Sequence, residues 1–200
     1  MQRRRYYSFI VGLVLILVAG CGPSPFTTGA TPEDTAAQHV FRQTPPGETY
    51  GFTTLYTYEF EDFAVVFHDK PHTDAAQTVY YEIVHRNQTG WYTKECCDSG
   101  GGSLLKMTGL GDLVRVTTSK SLEPMFVYGR TLSPDVATVE VEFDTGETIS
   151  DQPTEGFFFV LSEKGRNACT IRLYSEQNSV LAETPVSRGD SCSQADGEKD

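Results

Sequence analysis

Basic residues are scarce in this chain. Its 200 residues include 16 lysines and arginines against 27 aspartates and glutamates, a formal net charge of −11. Three of the arginines lie within residues 1–20, so the remainder carries 13 basic and 27 acidic residues and a formal charge of −14. A field of this sign repels nucleic-acid phosphates and anionic lipid headgroups. We therefore expect no nucleic-acid partner, and we interpret the acidic surface as a solubilising exterior.

Motifs of common enzyme families are also missing. The run Gly100-Gly101-Gly102-Ser103 lacks both the glycine that follows the serine in a G-x-S-x-G turn and the lysine of a phosphate-binding loop. The run Gly109-Leu110-Gly111 lacks the third glycine of a dinucleotide fingerprint. The sequence therefore predicts a protein that is not an enzyme and that holds no cofactor.

Long apolar runs are missing as well. The apolar run near the start, residues 9–19, is shorter than the about 20 residues that span a bilayer. It follows Arg3, Arg4 and Arg5, and a positive segment before a short apolar run is typical of a secretory signal peptide. Residues 1–20 are therefore predicted to be a signal peptide.

The segment Val18-Ala19-Gly20-Cys21 ends this run and resembles the lipobox of bacterial lipoproteins. The resemblance implies that the Cys21 thiol receives a diacylglyceryl group, that the chain is cleaved before it, and that the new amino terminus is acylated. Two or more acyl chains anchor a protein stably, whereas one does not. We expect the mature protein to be anchored to the cell membrane, with the polypeptide on the extracytoplasmic side.

Four cysteines follow the lipobox, and they lack the C-x-x-C spacing of many metal sites. An exported chain meets oxidising conditions, which favour disulfides among Cys96, Cys97, Cys169 and Cys192. A bond between the adjacent Cys96 and Cys97 would be strained. The preferred prediction links one or both of them to Cys169 or Cys192, and metal binding by Cys96-Cys97-Asp98 is the alternative.

Residues 21–48 are rich in proline, threonine and glycine, a composition that predicts a flexible stalk. Within it, Thr31-Pro32-Glu33-Asp34 has the features of a helix start, with a capping threonine, proline in the first turn and acidic residues behind it. We predict a short helix over residues 32–43. Because its apolar content is low, we expect it to dock weakly.

The remainder is predicted to be mainly β. Apolar residues alternate at period two, as in Phe63, Val65 and Phe67, which indicates half-buried strands. We predict an antiparallel β-meander module over 49–97, a glycine-rich separator at 98–103, a small immunoglobulin-like β-sandwich module over 104–185 and a disordered acidic tail over 186–200. The predicted strands are 50–60, 63–68, 77–85, 90–95, 113–119, 124–131, 136–143, 156–162, 168–175 and 180–184.

Several of these predicted strands also have a sequence pattern that is similar to that of other proteins. The segments 64–68, 81–85 and 89–92, with Trp91 in a hairpin, and the later segments 128–130, 136–141 and 156–160 resemble a pattern in uncharacterised bacterial exported lipoproteins. The resemblance covers about residues 55–184. It implies the two-module layout and contributes no catalytic residue.

The sequence favours a binding or scaffolding component whose partner it does not identify, with an envelope protein and a carbohydrate as the candidates. One alternative is a metal-dependent factor or enzyme that uses His68 and His72 with Asp69 and Asp74, although Pro71 argues against a helix there. A second alternative is a surface adhesin that uses the integrin-type tripeptide of the tail. Exposed aromatic residues would favour a carbohydrate or protein contact, whereas buried ones would be core. The integrin-type tripeptide is Arg188-Gly189-Asp190. The aromatic residues considered for a carbohydrate or protein contact are Tyr50, Phe52, Tyr56, Tyr58 and Trp91.

Overall fold

The predicted alternation of short strands corresponds to a mainly β, antiparallel structure. The computed structural model describes residues 27–48, 51–69, 78–94, 99–119, 124–186 and residue 192. This part of the chain contains helix α1 (Pro32–Gln43) and thirteen strands. The strands are β1 Thr28–Gly29, β2 Thr53–Glu59, β3 Phe63–Asp69, β4 Thr78–Asn87, β5 Gly90–Tyr92, β6 Ser99–Ser103, β7 Val114–Thr118, β8 Met125–Thr131, β9 Thr138–Phe143, β10 Thr148–Asp151, β11 Phe157–Ser162, β12 Ala168–Tyr174 and β13 Val180–Pro185.

The strands form three antiparallel sheets. Sheet A has the order β1-β5-β4-β3-β2, so the predicted meander of β2 to β5 is confirmed, and β6 pairs with the free part of β4. Sheet B has the order β11-β8-β7, and sheet C has the order β10-β9-β12-β13. All ten predicted strands are observed, within a few residues at their ends, while β1, β6 and β10 were not predicted.

Sheet B lies between the other two sheets, and its strands β8 and β11 are buried on both faces. One face packs against sheet A in a cluster that is rich in aromatic rings, and the other packs against sheet C in a cluster of mainly aliphatic side chains. The first cluster contains Val65, Phe67, Val79, Tyr81, Ile83, Phe126, Tyr128, Phe157 and Phe159, and the second contains Val116, Val127, Val160, Val139, Val141, Ile171 and Leu173. A shared apolar core therefore joins the two halves of the described chain. The immunoglobulin-like character of the second half stays a prediction.

Helix α1 covers the outer face of sheet A. The Thr31 side chain caps it by accepting a hydrogen bond from the Asp34 N–H at 3.1 Å, as its sequence predicts. Ala36 is fully buried and packs in a cluster with Val66 and Trp91. His39 adds a buried polar contact with Glu82. Hence the part of the predicted stalk from residue 27 to 48 includes a packed helix. The strength of the docking stays a prediction.

The disulfide differs from the preferred prediction. Cys169 bonds Cys192, with 5.4 Å between the two Cα atoms, and neither is joined to Cys96 or Cys97. Strand β13 returns beside β12, and the Val186 N–H donates to the Cys169 carbonyl at 2.8 Å, so the chain end runs next to Cys169. The hairpin of β12 and β13 therefore brings the segment after β13 beside Cys169. The spacing of the cysteines in the sequence did not predict this.

Several predicted site residues lie outside the described part of the chain. They are Cys21, His72, Asp74, Cys96, Cys97 and the tripeptide Arg188-Gly189-Asp190. Within the described ranges, no helix has both the length and the apolar character that a bilayer crossing requires.

Candidate functional site

Strand β6 is built from glycine and serine, and it is central to the candidate site. The prediction of a separator here is wrong, since the segment pairs with β4 from Thr78↔Ser103 to Glu82↔Ser99. A Cβ atom on Gly100 would overlap the Tyr81 ring, and one on Gly101 would overlap the Tyr80 backbone. Gly101 also has a φ of +129°, which favours glycine. The strand therefore forms a wall without bulky side chains, and a cavity opens on each side of it.

The first cavity, which we name the Tyr81 groove, has a volume of about 730 Å³ and lies between β6 and β7. Every described residue that lines it is uncharged. Hydroxyl groups and apolar side chains alternate around it, which suits a ligand without net charge. The lining residues are Tyr81, Ser99, Gly100, Gly101, Gly102, Ser103, Leu105, Met107, Val116, Thr117, Thr118, Tyr128 and Val186.

Two tyrosines form the inner wall of the Tyr81 groove. Burial, with a smaller contribution from the Glu82 charge, raises the pKa of Tyr81 to about 12. Burial raises the pKa of Tyr128 as well, and its hydroxyl donates a long hydrogen bond to the Val79 carbonyl at 3.4 Å. Both hydroxyls are therefore uncharged at neutral pH, and the Tyr128 oxygen, whose hydrogen is directed at Val79, can accept a hydrogen bond.

The second cavity, which we name the Glu82 pocket, has a volume of about 500 Å³ and lies between the C-terminal end of α1 and strands β4 and β6. Its described lining includes two carboxylates and no lysine, arginine or histidine. The residues are Val40, Gln43, Thr44, Pro45, Glu48, Gly51, Tyr80, Glu82, Ser99, Gly100 and Gly101.

Glu82 is a buried carboxylate held between two imidazoles. It is only 3% exposed, and its Oε2 atom lies 2.7 Å from His39 Nδ1. His39 Nε2 lies 2.9 Å from the Gln43 amide nitrogen. One neutral tautomer satisfies both contacts, in which His39 donates from Nδ1 to Glu82 and accepts at Nε2 from Gln43. Helix α1 is thus joined to β4 by a hydrogen bond to a charged acceptor.

His68 lies on the other side of Glu82 and is fully buried. Phe52 stacks on its ring at 4.5 Å, and Tyr80 lies at 5.8 Å. Its Nδ1 donates to the Asp69 carbonyl at 3.1 Å, which leaves Nε2 as an acceptor without a hydrogen-bond partner. This Nε2 atom lies 3.7 Å from Glu82 Oε1.

This arrangement bears on the metal alternative built on residues 68–74. His68 and Asp69 lie in strand β3 rather than in a loop, and His68 faces Glu82. Among the residues that the structure describes, no group of three or more His, Cys, Asp or Glu side chains is placed to hold a metal ion. A metal site on residues 68–74 stays a prediction, because His72 and Asp74 are outside the described ranges.

The aromatic candidates for a surface contact belong to the core. Tyr56 stacks on Phe157 at 4.3 Å, Tyr58 lies 4.6 Å from Phe159, and Trp91 is 6% exposed. These three rings therefore form packing contacts between sheets or beneath the helix. They belong to the core, as predicted for rings that are buried. Phe52 is half-buried against His68, and Tyr50 is not described.

Comparison with known proteins provides no family for this chain. No protein-family model matches it, and neither the curated proteins nor the solved structures contain a significant match. The two cavities and the sequence are therefore the features that indicate a function for this chain.

Sequence reasoning did not single out Glu82, His39 or Tyr128. Glu82 did leave a signal, because it is the one charged residue in the run Val79-Tyr80-Tyr81-Glu82-Ile83-Val84, and such a run suits a strand buried on both faces. A carboxylate in such a strand requires a polar partner, and the structure supplies His39.

Proposed function

We propose that this chain is an exported lipoprotein, anchored through Cys21 on the extracytoplasmic side of a membrane, that binds an uncharged, hydroxyl-rich ligand in the Tyr81 groove. A segment of a neutral envelope polysaccharide is the ligand class that this proposal favours. The observation that carries the binding part is a cavity of about 730 Å³ with hydroxyl and apolar walls and no charged lining residue in the described chain.

Three observations support the location. Residues 1–21 combine a positive segment, an apolar run and a lipobox-like ending. The strongly acidic remainder suits an exposed exterior protein. The disulfide between Cys169 and Cys192 suits an oxidising compartment, because such bonds are rare in the reducing cytosol.

The lining of the Tyr81 groove favours a glycan over a charged ligand. Thr117 and Thr118 on β7, Ser99 and Ser103 on β6, and the apolar Leu105 all line the cavity. Sugar rings present hydroxyl groups along their edges and C–H groups on their faces, so this mixture of donors, acceptors and apolar surface is complementary to them. A charged ligand would lose hydration without gaining a counter-charge.

Metabolic labelling with radioactive palmitate tests the anchor. We expect the full chain, expressed in a bacterium, to incorporate the label and to fractionate with membranes, and Cys21→Ser to abolish both. Cys192→Ser is the matched control, since it removes a cysteine and leaves the lipobox intact, and it should be labelled normally. A wild-type protein that stays unlabelled would contradict the proposed lipid anchor.

Calorimetric titration tests the ligand class. The full-length protein in non-ionic detergent is titrated with chitotetraose as a neutral glycan and with an uncharged glycine-serine peptide. We expect saturable binding of the glycan, weakened about tenfold by the double change Thr117→Val and Thr118→Val, and no effect of Thr170→Val on sheet C. Binding of the peptide alone, or glycan binding that the double change does not alter, would contradict the proposal.

A further inference from the structure

We propose that the Glu82 pocket is a second, separate binding site that takes the ammonium group of an organic amine. It lies on the opposite side of β6 from the Tyr81 groove, so the two sites share the wall formed by Ser99, Gly100 and Gly101. The inference depends on the charges of the pocket and not on the neutral ligand proposed for the groove.

Three features of the Glu82 pocket attract a cation. Two carboxylates line it, with Glu82 at the buried end and Glu48 at the exposed end. The C-terminal end of α1 contributes Gln43 and Thr44, and the helix dipole makes this end negative. Tyr80 adds an aromatic ring, whose electron-rich face attracts cations.

The buried end of the pocket borders a hydrogen-bond acceptor that has no partner. Glu82 Oε1 lies 3.7 Å from His68 Nε2, and in the tautomer set by the Asp69 carbonyl both atoms are acceptors. His68 Nε2 is buried and has no hydrogen-bond partner. An N–H group delivered beside Glu82 would donate to the carboxylate or to this unpartnered acceptor and would compensate the carboxylate charge.

The shape favours an organic cation over a bare metal ion. A volume of about 500 Å³ is far larger than an ion needs and suits a small molecule. In the described residues no set of three metal-ligating side chains is assembled, whereas a primary ammonium needs only hydrogen-bond acceptors. A substituted alkyl amine would place its carbon chain along Val40 and Pro45.

Calorimetric titration of the full-length protein with n-butylammonium chloride tests the site. Butan-1-ol has the same length and no charge, and zinc chloride tests the metal alternative. We expect saturable binding of n-butylammonium, at least tenfold weaker binding of butan-1-ol, and weaker n-butylammonium binding as ionic strength rises, because the exposed Glu48 is screened by salt.

Two variants and a control locate the binding. Glu82→Gln keeps the shape of the side chain and removes its charge, and we expect it to weaken n-butylammonium binding at least tenfold. Glu48→Gln lies at the exposed end, so it keeps the buried cluster intact and should weaken binding about threefold. Glu59→Gln removes an exposed charge on β2, outside the lining, and should leave binding unchanged.

Circular dichroism confirms the fold of each variant. If Glu82→Gln does not fold, Glu48→Gln and the salt dependence decide the question. Equal binding of butan-1-ol and n-butylammonium, unchanged affinity in folded Glu82→Gln and in Glu48→Gln, or tight binding of zinc with no binding of the amine would each overturn the proposal.

Discussion

The two faces of sheet A differ in how strongly they are determined by apolar packing. Its inner face presents Val65, Phe67 and Tyr81 to the aromatic face of sheet B, and every one of these residues is at most 4% exposed. Its outer face, beneath helix α1, combines apolar side chains such as Val66 with Glu82 and His68, which are equally buried but polar.

The difference singles out the cluster beside the Glu82 pocket. Apolar packing explains Val65 and Phe67 on the inner face, because burial of such side chains is the main favourable contribution to folding. Burying a carboxylate has a free-energy cost that only hydrogen bonds or ions offset, and an apolar side chain would have served packing better. The Glu82–His68 pair on the outer face is therefore the part of the sheet whose composition stability alone does not explain.

The largest expected loss of stability follows from a substitution on the inner face of sheet A. Phe67 is fully buried and lies within 6.3 Å of Tyr58, Tyr81, Phe126, Tyr128, Phe157 and Phe159, measured between ring centroids. Phe67→Ala should lower the free energy of unfolding by about 3–5 kcal/mol, because it leaves a cavity. Urea denaturation measures the loss. Leu132→Ala, at a residue that is 48% exposed, should cost less than about 1 kcal/mol, and a similar loss in both variants would contradict the comparison.

An intermediate effect is expected on the outer face. His39→Ala removes the donor to buried Glu82, and leaving a buried charged acceptor unsatisfied costs about 1–3 kcal/mol. Gln38→Ala is the control, because Gln38 is exposed on the same helix. Hydrogen exchange of the α1 amides should speed up in His39→Ala and stay unchanged in Gln38→Ala. Exchange that is identical in both variants would show that the buried contact does not hold the helix.

The smallest effect appears only at high pH. The pKa of Tyr81 is raised to about 12 in the folded protein, whereas an unfolded tyrosine titrates near 10. The unfolded state therefore releases its proton first, and the stability contributed by burial is lost as the pH rises from about 10 to 12. We expect Tyr81→Phe to show a shallower fall in the free energy of unfolding over this range. Equal slopes for both proteins would contradict the burial of the hydroxyl.

Local sequence patterns predicted most of the fold. Helix α1 was predicted because Thr31 and Pro32 mark its start, and strands such as β3 and β9 were predicted because their apolar residues alternate. Strand β6 was not predicted, because glycine has a low strand propensity and its pairing depends on the close approach of Tyr80 and Tyr81.

The candidate site was mostly hidden from the sequence. The Glu82 cluster joins His39, His68 and Glu82 from a helix and two strands, so its members are separated along the chain and only tertiary packing brings them together. The disulfide was mispredicted for a similar reason, since the β12–β13 hairpin decides which cysteines meet.

A single NMR experiment tests the central claim that β6 separates a neutral binding groove from a cation pocket. Backbone amide shifts of the full-length protein in detergent are recorded during titration with chitotetraose and, separately, with n-butylammonium. We expect chitotetraose to shift Leu105 and Thr117 and to leave Gln43 in place, and n-butylammonium to shift Gln43 and Tyr80 and to leave Thr117 in place. Shifts of the same residues by both ligands, or of neither set by either ligand, would contradict the account.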